Sequence, residues 1–155
     1  MIRKLIRAEQ GQTLVEVAVS FSALMIMILG VIEGGWLVYT YHYLSYAARQ
    51  GSRYAVVRGS ACDSSNGMDN CPNATSDQIQ TYVRSVHFPG IDPNQVGVTA
   101  TWTAGPQSGG TCTSPCKDPG DQVSVRATYP FPLSIPFIPA SQVNMSSTSE
   151  MVIAQ

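Results

Sequence analysis

Charge is scarce in this chain. Of 155 residues, 9 are Lys or Arg and 10 are Asp or Glu, 12% in all, roughly half the ~25% of ordinary soluble domains. A formal net charge of -1 and the lack of a basic block exclude the cationic footprint that nucleic-acid binding requires. No internal repeat, phosphate loop or dinucleotide fingerprint is present, and Gly34-Gly35 and Gly109-Gly110 lack the context such motifs need. His42 and His87 belong to no HExxH pattern or triad and read as surface or interface residues. These absences leave no enzyme, cofactor, small-molecule substrate or nucleic-acid partner to expect. Disorder is excluded too, because 44% apolar residues can bury real surface. The length allows one modest domain with an appendage.

The missing charge is concentrated in one place. From Val17 to Ile32 no residue is charged, and past Glu33 the apolar run resumes to Tyr41. A membrane-crossing helix needs about 20 such residues, so a membrane segment over about 17–41 is long enough with some tilt. Arg3, Lys4 and Arg7, opposed by Glu9, precede the run and keep the N-terminus in the cytoplasm. Trp36, Tyr39, Tyr41 and Tyr43 gather at the far end, where amphipathic rings favour the interface. A cleaved signal peptide is the alternative, but no A-x-A-like site follows the run.

The helical pattern continues beyond the membrane. Leu37, Tyr41, Leu44, Ala48, Gly51 and Ala55 recur at spacings of four and three, with Arg49, Gln50 and Arg53 opposite. A helix from about Thr13 to Arg58 would be roughly 70 Å long, about twice what the bilayer needs. Its second half must lie in water with the small-residue stripe covered. Gly59 suits the C-terminal cap. Residues 60–74 are turn formers. Thr75-Ser76-Asp77 can cap a short helix whose Ile79, Tyr82, Val83 and Val86 share a face, closed by Pro89-Gly90.

The period then changes to two. Val96, Val98, Ala100 and Trp102 alternate with Gly97, Thr99, Thr101 and Thr103; Val123, Val125, Ala127 and Tyr129 do so within Gln122–Tyr129. A long hairpin loop separates the two strands. Pro130, Pro132, Pro136 and Pro139 imply an extended stretch unable to act as a central strand. Val143, Met145, Ser147, Ser149, Met151 and Ile153 mark a last strand. The expected fold is α+β: a three-stranded antiparallel meander and one short helix packed on a long N-terminal helix.

Glu16 stands at the head of the membrane run, where a charge needs a partner or a reason. If the chain were cut after Gly11, Gln12 would supply a new α-amino group near Glu16. In a stack of such helices one subunit's amine could neutralise the next subunit's carboxylate. Snorkelling of Glu16 at the cytoplasmic interface is the alternative.

A basic leader, Gly11, four residues, Glu16 and an apolar helix resemble the prepilin-peptidase pattern of type IV pilins and pseudopilins. More specifically, VEVAVSFSALMIMILGVIEGGWLVYTYHYLSYAARQGSRYAVVRG resembles the TadE-like pseudopilins of the tight-adherence (Flp) pilus machinery, over roughly Gly11–Gly59. The likeness includes Val15-Glu16, Gly30, Glu33, Gly35 and the segment from Ala47 to Tyr54. Val17 stands where the family usually has Phe, and Ser22 where it often has Pro. The resemblance implies a leader peptide at 1–11, a long helix at 12–58 and an extracytoplasmic domain at 59–155. It also implies a minor pilin, cut between Gly11 and Gln12 by a prepilin peptidase, that helps assemble or initiate the pilus. Its partners would be that peptidase, other pilins or pseudopilins, the assembly machinery and the bacterial cytoplasmic membrane, crossed once. Gly11 would fit the peptidase cleft and Glu16 would dock subunits. An uncleaved, membrane-anchored binding or adhesion module is the rival reading.

Glu33 sits just outside the far leaflet or pairs with a partner helix. Gly30, Gly34 and Gly35 permit close helix–helix approach, or are merely tolerated in a membrane helix. Cys62, Cys71, Cys112 and Cys116 all fall beyond the membrane, where an even count reads as disulfides. The local pairing is 62–71 with 112–116; a pairing across the two loops stays open. Neither local pair has the C-x2-C spacing of zinc or redox sites, so no metal is expected.

Overall fold

The computed structural model describes residues 2–59, 74–105, 112, 116–134 and 141–154, with side chains from Gly11 onward. Helix α1 runs unbroken from Ile2 to Val57, about 84 Å at ~1.5 Å per residue. It starts well before Thr13, the expected first residue, because residues 2–10 are straight-chain and aliphatic helix formers with no Pro or Gly. Hydroxyls inside it donate back one turn, among them Ser22 Oγ to the Ala18 carbonyl at 2.8 Å and Thr40 Oγ1 to the Trp36 carbonyl at 2.9 Å. Such back-bonding lets polar side chains sit in an apolar helix.

Helix α2, Ser76–Ser85, is capped at Thr75, within the expected capping segment, and the cap is a full capping box. Thr75 Oγ1 accepts from the Gln78 N–H, and Gln78 Oε1 accepts from the Thr75 N–H. A short 3-10 turn at Pro93–Gln95, capped by Asp92, was not anticipated. It leads into β1 (Gly97–Thr103), followed by β2 (Gln122–Leu133) and β3 (Ser141–Val152). The three form one antiparallel sheet in the order β1-β2-β3.

The prolines require a correction. Pro130 and Pro132 lie inside β2, the central strand, opposite Asn144 and Gln142. They fit because β1 ends its pairing at Thr128, so the last part of β2 is laddered to β3 alone. Proline is excluded from a position that must donate on both flanks, not from a strand that has become an edge.

The core joins the sheet, α2 and the second half of α1. Leu44, Ala48 and Ala55 of α1 meet Ile79 and Val83 of α2 and Val123, Val125, Ala127 and Phe131 of β2. The expected stripe is shifted at one end. Tyr41 is 52% exposed, whereas Thr40 and Tyr43 are buried. Val143, expected inward, is 39% exposed, while Met145 and Ile153 are buried. Polar contacts also stitch α1 to β3: Ser52 Oγ and Ser149 Oγ are 3.0 Å apart, and Ser147 Oγ donates to Ser45 Oγ at 3.3 Å.

Candidate membrane anchor and assembly surface

The long helix divides into two environments. From Thr40 to Ala55 it is part of the folded core. From Gly11 to Ile32 it projects from the domain with its apolar side chains exposed on every side: Val17 is 64% exposed, Phe21 58% and Val31 72%. The segment is long and apolar enough to cross a membrane, and none of its most apolar window is buried. A soluble core helix would be covered; this one is bare. A run of Leu, Val, Ile, Met and Phe left bare over ~30 Å demands lipid or other helices around it.

All the sequence-predicted assembly residues lie on this bare half. Gly11, Gln12 and Glu16 are exposed near its start. A Cβ added at Gly11, Gly30, Gly34 or Gly35 would meet nothing within 4 Å, so no residue of the chain itself requires glycine there. Glu33 differs. It is half-buried and stands in line with Leu37, Thr40 and Leu44 at spacings of four, three and four, the face that the domain covers. The structure thus groups Glu33 with the domain side of the helix. Among the described residues it leaves Gly11, Gln12 and Glu16 exposed and outside the folded core.

Where the bare half meets the domain, aromatic rings collect. Trp36 and Tyr39 stack with centroids 5.4 Å apart, and the Tyr39 hydroxyl donates to the Pro89 carbonyl at 3.3 Å. Phe88 packs against Tyr43 and Tyr46 at 4.8 and 5.6 Å between centroids. Burial, with a smaller contribution from Tyr129, holds the Tyr43 phenol above its usual value of 10.0. This collar was visible in sequence only as a tyrosine-rich patch; its clasp by Phe88–Gly90 was missed, since nothing local links the two segments.

At the opposite end Cys112 and Cys116 are joined as a disulfide, with Cα atoms 5.3 Å apart. Cys62 and Cys71 lie outside the described residues. Next to the bridge, Lys117 Nζ donates to the Ala74 carbonyl at 2.7 Å and lies 4.8 Å from the centre of the Trp102 ring. Burial lowers its pKa below the ordinary lysine value. Asp121, only 1% exposed, accepts from the Asp118 N–H through Oδ2, while its backbone carbonyl accepts from the Ile153 N–H. These contacts tie the hairpin loop to the last strand and amount to architecture. Among the described residues no three of His, Cys, Asp and Glu come together in a way that could hold a metal.

A protein-family model described as TadE-like protein matches residues 11–53. Residues 11–53 resemble TadE-like proteins. The match begins at Gly11, takes in the whole bare segment and ends within the part of α1 that packs on the sheet. It covers under a third of the chain, so the α2–sheet domain contributes nothing to it. The likeness connects the chain to the Tad pilus system and points to partners there and to membrane association. No curated protein and no solved structure matches the chain.

Proposed function

We propose that this chain is a minor pilin or pseudopilin of the Tad (Flp) pilus system. It would be anchored by α1 in the bacterial cytoplasmic membrane, with its N-terminus inside and the α2–sheet domain outside. The observation that carries the reading is the division of α1: a helix that is TadE-like over residues 11–53 is bare where it is apolar all round and core-packed where it is amphipathic. A helix built this way can pass from lipid into a bundle of like helices without unfolding its domain, because the residues from 11 to 32 are all exposed and none is part of the folded core. The chain's own chemistry is nil; it is a structural subunit and not an enzyme.

The same geometry suits processing. Cutting after Gly11 would leave Gln12 as a free amine one helical turn from Glu16, on an exposed part of the helix outside the folded core. Removal of residues 1–11 also strips Arg3, Lys4 and Arg7, the charges that hold the N-terminus at the cytoplasmic face. After the cut, extraction from the bilayer would no longer have to desolvate them. Intact-mass measurement on membrane fractions tests this. Co-expression with a prepilin peptidase should convert the chain to a species beginning at Gln12. A chain that stays full length beside an active peptidase favours the rival, an uncleaved anchored binding or adhesion module.

A further inference from the structure

Two separate features bear on the height of the lower rim of the domain above the membrane-spanning stretch of α1. The first is the clasp at Phe88–Ile91. From Glu16 to Trp36 is twenty residues, about 30 Å along the helix, which equals the ~30 Å hydrocarbon thickness. With Glu16 at the inner interface, Trp36 falls at the outer one. Trp36 fills the space beside Gly90, and Tyr39 holds the Pro89 carbonyl, so this turn is fixed at the same level. The second feature is the direction of β3. Ser147 meets Ser45 and Ser149 meets Ser52, so β3 climbs with α1 and its start lies toward the bare half. Ser141 precedes Ser147 by six residues, about 20 Å at ~3.3 Å per residue. Allowing for inclination of the strand, Ser141 and its partner Leu133 come down to the level of about Ile32 to Trp36.

Both parts of the rim have the chemistry of an interface. Residues 127–149 contain no charged residue, and no Lys or Arg occurs between Ser85 and Cys116. The exposed side chains there include Trp36, Pro89, Pro132 and Val143; Glu33, His87 and Asp92 lie nearby, with Tyr39, Tyr43 and Tyr46 in the collar and the Arg84 guanidinium donating to the Asn94 carbonyl. Amphipathic rings and small apolar side chains favour the headgroup layer, whereas a charge-led contact would need a basic cluster.

We propose that this rim, the turn at His87–Ile91 together with the Leu133/Ser141 end of the β2–β3 pair, rests in the outer headgroup layer of the bilayer. The partner is a lipid surface, engaged without regard to headgroup charge. The domain is therefore seated on the membrane and not raised on a helical stalk, and Glu33 lies beneath it. The inference rests on the membrane-spanning reading of α1 and adds a second contact to it.

Depth-dependent fluorescence quenching on the full chain in zwitterionic phospholipid vesicles tests the seat. Trp36→Phe leaves Trp102 as the upper control, and Trp102→Phe leaves Trp36 as the span reporter. In the double Phe background, Val143→Trp and, separately, His87→Trp report on the two parts of the rim; both sites are exposed and tolerate an added ring. The expected result is quenching of Trp36 and both rim reporters by lipids brominated near the headgroup, about twofold stronger than by deeply brominated ones, with Trp102 unquenched. Quenching of Trp36 while both rim reporters behave like Trp102 overturns the seat and leaves the span intact. An unquenched Trp36 overturns the span and the seat together.

Discussion

The indole of Trp36 occupies the place where a Cβ on Gly90 would be, and Gly90 itself has a positive φ of 79°. One residue ends the bare half of α1; the other closes the turn after α2, more than fifty positions later in the chain. Gly90→Ala should therefore cost stability twice, through the left-handed backbone and through the collision. A loss on the order of 1–3 kcal/mol is expected for the backbone alone. Urea denaturation of Gly90→Ala with and without Trp36→Ala separates the two causes. If the double variant recovers nothing relative to Trp36→Ala alone and Gly90→Ala alone, the indole is not pressing on the turn.

Gly51 presents the opposite balance. Alanine in a helix interior normally gains about 0.5–1 kcal/mol over glycine. Here the added methyl would meet Val125 Cγ1 at 2.9 Å, Ile79 Cγ2 at 3.1 Å and Val83 Cγ2 at 3.4 Å. All three are branched side chains with little freedom at χ1, and overpacking costs about 1–3 kcal/mol. Packing wins, and Gly51→Ala lowers the denaturation midpoint. A Cβ at 30, 34 or 35 would meet nothing within 4 Å among the described residues, so alanine there leaves the domain's packing unchanged.

The raised pKa of Tyr43 sets a pH dependence. The folded state holds the phenolic proton more tightly than the unfolded chain, whose tyrosine titrates near 10.0. The contribution is thus fully present below pH 10.0 and is lost as pH rises through the folded value above it. Stability measured across that alkaline window should fall for the native chain and fall less steeply for Tyr43→Phe. Equal slopes would mean that Tyr43 is not protected by the Phe88 clasp.

Much of this architecture was legible because two periodicities survive in the sequence. Ile79 and Val83 at helical spacing, and Val123, Val125 and Ala127 at alternation, lie where burial confirms them. The stripe on α1 was harder. From Leu37 a helix allows a step of three or of four, and only the neighbouring turn decides; the domain selects Thr40 and leaves Tyr41 outside. The prolines misled for a similar reason, since whether Pro130 sits in a two-sided ladder depends on where β1 stops. Glu16 was the reverse case. Its spacing from Gly11 was readable at once, yet among the described residues it stands exposed and outside the folded core.

That isolation supplies the sharpest prediction. An acidic side chain at the head of an apolar helix, exposed in the monomer, is a liability unless an oppositely charged group arrives from elsewhere. If the arriving group is the amine of a neighbouring Gln12, Glu16→Ala and Glu16→Gln should both lose their leader normally yet fail to cross-link into pilus assemblies, with Glu16→Asp intermediate. Gly11→Leu should block at the earlier step and keep the leader. The amine carries a further condition, because an N-terminal Gln can cyclise with loss of ammonia and of its positive charge. Intact mass of assembled and unassembled fractions reads this directly: the assembled chains should retain the ammonia. Assembly of Glu16→Ala at the native level would show instead that Glu16 only reaches back to the cytoplasmic headgroups.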